Sequence, residues 1–107
     1  MSIDLNNSQN PAAKPIAQKL WSLVNWPGSI VQRAVFKADG ASKLMERRQM
    51  ETDPQELAAR ISRLLDEGGM VSASTIVVEV YEGDFNPTVL TFGQGLSYDD
   101  WKLVDDR

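Results

Sequence analysis

The sequence predicts an α+β domain in which a helical N-terminal half packs on a small antiparallel sheet. Two apolar stripes at helical spacing, at about 15–25 and 53–67, predict the helices. A change of period from 3.6 to 2 after Gly69 predicts the sheet. A length of 107 residues with 42% hydrophobic content supplies one core and not two.

Residues 1–14 are polar, with Asn6, Asn7, Ser8, Gln9, Asn10 and Pro11 in succession. They offer little to bury and read as a disordered arm ahead of a single domain over 15–107. Pro15 suits a first helical turn, and Ile16, Leu20, Leu23 and Val24 then share one face. Asn25-Trp26-Pro27-Gly28 ends that helix. Residues 29–38 admit two readings. Ser29 can cap a helix carrying Ile30, Val31, Ala34 and Val35 on one side. The same stretch is β-branched and runs into Ala38-Asp39-Gly40, a hairpin-like turn. Helix is the preferred reading. Residues 41–50 also favour helix by propensity, with Leu44 and Met45 as core candidates.

The helix over 53–67 has the fullest set of signals. Asp53 precedes Pro54, and Glu56 follows three residues after Asp53, as in a capping box. Leu57, Ile61, Leu64 and Leu65 form the apolar stripe, and Gly68-Gly69 supplies the stop. Beyond it, Ser74–Glu82 alternates, with Ile76, Val78 and Val80 on one face. Gly83-Asp84-Phe85-Asn86-Pro87 is turn chemistry, and Thr88–Phe92 returns, giving a hairpin over about 74–92. Ser97-x-x-Asp100 can cap one helical turn, or residues 101–104 can form a third strand. The stripe on 53–67 is the natural cover for the sheet.

Composition excludes several chemistries. The chain has no histidine and no cysteine. It therefore cannot build a Ser–His–Asp or Cys–His arrangement, a disulfide or a zinc–thiolate site. Asp84-x-Asn86 has the spacing of a calcium-loop fragment, but no Glu follows Asn86 to complete one. Gly93-Gln94-Gly95 lacks the third glycine and the long helix of a phosphate-binding loop. An enzyme, a metal site and a cofactor are accordingly not expected. No apolar run approaches the roughly 20 residues of a membrane span. The opening residues lack an apolar signal-like stretch, so a cytoplasmic setting without a membrane partner is expected.

Charge is unevenly spread. Residues 1–63 carry nine basic and six acidic side chains, whereas residues 64–107 carry two basic and nine acidic ones. A net charge of −4 thus hides a basic half and an acidic half. Two candidate sites follow. Asp84 and Phe85 at the hairpin tip, with Asp99, Asp100 and Trp101 near the end, offer an acidic and aromatic surface for another protein. Arg47, Arg48, Arg60 and Arg63 offer guanidinium forks for nucleic acid or another anion. The leading expectation is a non-enzymatic protein-interaction domain, an adaptor, inhibitor or assembly factor, acting through the first surface. Nucleic-acid binding through the arginines is the alternative, and a homo-oligomer that joins basic and acidic halves is a third.

Overall fold

A computed structural model of the chain describes residues 10–83, 86–94 and 101–106. In chain order the elements are α1 (Ala13–Val24), β1 (Arg33–Ala38), β2 (Ala41–Glu46), α2 (Arg47–Met50), α3 (Pro54–Glu67), β3 (Thr75–Tyr81), β4 (Thr88–Gln94) and β5 (Trp101–Asp106). The strands form one antiparallel sheet in the order β2-β1-β3-β4-β5. The helices pack on one of its faces, and the α+β architecture is the one the sequence predicts.

Period-2 alternation decides what each strand buries. Ala34 and Phe36 of β1, Met45 of β2, Ile76, Val78 and Val80 of β3, and Leu90 and Phe92 of β4 turn into the core. Ile16 and Leu20 of α1 and Leu57, Ile61 and Leu65 of α3 meet them in a single cluster. The alternate positions form an open face. There Lys37 pairs with Glu79 at 3.1 Å, and the Arg33 guanidinium lies 4.4 Å from the centre of the Tyr81 ring. The third-strand reading of 101–104 is the one realised, with a bulge where Thr91 and Phe92 meet β5.

α3 begins and ends as its sequence dictates. Asp53 accepts the Glu56 N–H at 2.7 Å, Pro54 fills the first turn, and Gly69 takes a φ of 70° past the last turn. The Met70 N–H closes the end on the Leu65 carbonyl.

Residues 29–46 depart from the helical reading. β1 and β2 form a hairpin across Asp39-Gly40, whose φ values of 51° and 84° suit a two-residue turn. Phe36 explains the outcome. A helical stripe of Ile30, Val31, Ala34 and Val35 leaves Phe36 to one side, whereas alternation buries it fully between Ala34 and Ala38. Helix propensity over Ala41–Glu46 amounts to tenths of a kcal/mol per residue, and the ladder to β1 outweighs it. Only Arg47–Met50 keeps the helical preference, as α2. Leu44 lies outside the core, and Met45 and Met50 lie inside it.

Residues 10–14, expected in the arm, belong to the folded domain. The Asn10 N–H reaches Ser62 Oγ at 2.7 Å, which satisfies a buried hydroxyl on α3, and Ala12 and Ala13 are buried. The expectation for residues 1–9 lies outside the described residues.

Phe36→Ala is expected to cost about 3–5 kcal/mol, because the cavity opens at the middle of the sheet. Asp53→Ala is expected to cost about 1 kcal/mol through the lost cap. Urea-denaturation midpoints at constant slope check both.

Candidate functional site

A groove of about 610 Å³ runs between β2 and α3. β2 contributes Lys43, Leu44 and Met45, and α2 contributes Arg48 and Gln49. α3 contributes Arg60, Arg63, Leu64 and Glu67. Those four recur at i, i+3, i+4 and i+7, the spacing that puts side chains on one helix face. Among the described residues, four cations and one acid therefore line the groove, although the whole chain is acidic.

Three of the four cations are placed by specific local contacts. Glu46 and Gln49 form a reciprocal capping box, with the Glu46 N–H on Gln49 Oε1 at 2.9 Å, and this fixes the first turn of α2. From that turn Arg48 projects outward, its side chain 84% exposed and 3.6 Å from Glu46. Arg60 donates to the Gln49 carbonyl at 2.6 Å and pairs with Glu56 at 3.3 Å, so it ties α3 to the end of α2. Lys43 lies along the end of α3, where a Cβ on Gly68 would come within 2.7 Å of its Cγ. The bare Gly68 backbone makes room for the Lys43 stem. Arg63 and Lys43 carry no ion pair among the described residues.

The arginines expected from sequence thus divide. Arg48, Arg60 and Arg63 come together, and Arg47 does not join them. Its Nη1 donates to the carbonyls of Ser29 (3.0 Å) and Val31 (2.9 Å), its Nη2 to that of Val24 (3.3 Å), and its Nε pairs with Glu51 at 2.9 Å. These contacts hold the loop after α1 against α2, which makes Arg47 a structural residue. Lys43 was missed, because a helical reading of 41–50 placed it on a different element, and Gly68 was read only as a helix stop. The spacing of Arg60, Arg63 and Glu67 was the legible signal.

The acidic and aromatic surface fares differently. Asp84, Phe85, Asp99 and Asp100 lie outside the described residues. Trp101 is only 8% exposed and belongs to the core at the start of β5. Its large ring is buried there and leaves little for a partner to touch. Trp21, half-buried, donates its indole N–H to the Thr52 carbonyl, whereas Trp26 stands exposed after α1. Among the described residues, no three acidic side chains cluster closely enough to hold a metal ion, and no helix is long and apolar enough to cross a membrane.

Comparison with protein-family models, with curated proteins and with solved structures finds no match to this chain.

Arg47→Ala is expected to destabilise the fold by about 2 kcal/mol, because it strips a charged donor from converging carbonyls. Arg63→Ala is expected to shift stability by less than about 0.5 kcal/mol. Equilibrium unfolding of the two variants side by side checks the division between structural and surface arginine.

Proposed function

We propose that this protein is a non-enzymatic binding module that holds an anionic partner in the groove between β2 and α3. The observation that carries the reading is the convergence of Lys43, Arg48, Arg60 and Arg63, from three separate elements, on one concave surface of an acidic chain. Concentrated cations on an otherwise negative molecule steer an anion to one place and repel it elsewhere. Guanidiniums add geometry to charge, since each can fork a carboxylate or a phosphate through two parallel hydrogen bonds.

Binding rather than catalysis suits a chain without imidazole or thiol. A cysteine-free chain is compatible with the reducing cytoplasm, where we place it. The adaptor, inhibitor and assembly roles share this mode of action, because each works by occupying a surface.

A fluorescein-labelled poly-glutamate probe tests the reading by anisotropy. Arg48→Glu with Arg63→Glu is expected to weaken capture by roughly tenfold or more, while the melting temperature stays within about 1 °C. Wild-type capture is expected to fall as salt rises from low to physiological strength. Capture that survives the double reversal, or that ignores salt, overturns the proposal. Lys14→Glu serves as the control, since Lys14 is exposed on α1 outside the groove.

A further inference from the structure

The groove lies beside a strand edge that no described residue pairs with, and that edge narrows the class of partner. β2 stands at one end of the sheet. In a hairpin with a two-residue turn, the residues flanking the turn exchange both main-chain hydrogen bonds, and every second pair does so thereafter. Here those pairs are Ala38↔Ala41, Phe36↔Lys43 and Ala34↔Met45. The Arg47 N–H to the Gln32 carbonyl, at 2.9 Å, continues the series. Ser42, Leu44 and Glu46 therefore aim their main-chain groups away from β1. Glu46 is satisfied by Gln49. Ser42 and Leu44 have no hydrogen-bond partner among the described residues.

We infer that the occupant of the groove is an extended acidic peptide segment of another protein, added to β2 as a sixth strand. The inference rests on the anion-binding reading above and specifies its partner. An added strand pairs with the main chain of Ser42 and Leu44 and alternates its own side chains between two faces. One set turns toward α3 and meets Lys43, Arg60, Arg63 and Arg48. The other set lies on the open face beside Leu44, which is 51% exposed. Successive groove-facing residues are about 6.7 Å apart, so the matching sequence carries an acid at every second position with apolar or β-branched residues between.

The same cations argue against the other occupants. A charged residue turned inward at an edge strand is a known guard against indiscriminate strand pairing. Lys43 is such a residue, and an acid opposite it removes the penalty. Two β2 edges brought together would place four cations of one copy against four of another. A single-stranded nucleic acid finds no aromatic ring among the described residues of the groove on which to stack a base.

The test uses the full chain, labelled with ¹⁵N, and a blocked octapeptide of alternating Glu and Val. Binding with at least tenfold slower hydrogen exchange at the Ser42 and Leu44 amides is the expected result. A peptide of the same charge, N-methylated at its β2-facing residues, is expected to bind at least tenfold more weakly. Arg48→Glu with Arg63→Glu is expected to weaken the unmodified peptide similarly. If the N-methylated peptide binds equally well and the two amides stay unprotected, while the double reversal still weakens binding, strand addition is overturned and the anion-binding groove stands. If the double reversal has no effect, or neither peptide binds, both readings fall. Tighter capture of a single-stranded oligonucleotide than of the peptide, lost on the same reversal, overturns the peptide as partner. Self-association that the peptide cannot displace overturns it in favour of a second copy.

Discussion

Burial on one side of a single sheet is the constraint from which the rest of this molecule follows. Five antiparallel strands present one apolar face, and α1 and α3 are the only long helices among the described residues to cover it. Both helices must therefore turn wide apolar stripes downward, and both do, with Ile16, Leu20, Leu57, Ile61 and Leu65 fully buried. The opposite face receives no cover from the described residues. It is finished with short-range polar contacts instead, Lys37 to Glu79, the Tyr81 hydroxyl to Glu79, and Arg33 over Tyr81. A sheet built this way also keeps its outermost strands, and β2 is one of them.

The joint between α1, the β1–β2 hairpin and α3 depends on four residues of helix. Arg47 and Arg48 are neighbours in sequence, but successive helical residues point about 100° apart. Arg47 consequently reaches back to the carbonyls of Val24, Ser29 and Val31, and Arg48 faces outward beside Glu46. The carbonyl of Gln49 then receives Arg60. A charge cluster that reads as one group in sequence serves two ends in the structure. One guanidinium fastens the loop, and the others shape a cationic wall.

That division gives an acidic protein a basic concave surface. Glu46 and Glu56 pair with Arg48 and Arg60 and hold them in place. Exposed pairs of this kind contribute little to stability, and a carboxylate partner can compete for the same donors. Arg63 and Lys43 have no such internal competitor among the described residues. Among the described residues, the groove combines two ion-paired cations with two that carry no ion pair, next to the outer edge of β2.

What the sequence alone determined was every element whose signals are local. The stripe of α1, the cap, proline start and glycine stop of α3, and the alternation of β3 were legible because spacing and capping act within a few residues. The acid–base asymmetry was legible from composition, and Arg48, Arg60 and Arg63 were legible as candidate anion binders, though not Arg47's separate role. Contacts between distant parts of the chain settled the rest. The stretch Ala41–Glu46 is helix-prone by composition, and it became a strand because β1 offered a ladder and the core needed Met45 and Phe36 on one face. Trp101 went inward because the core side of β5 took its ring. Lys43 reached the arginines because Gly68 leaves space where any side chain would collide with it. Those outcomes depend on contacts between residues far apart in the chain, whose energies local propensity does not contain.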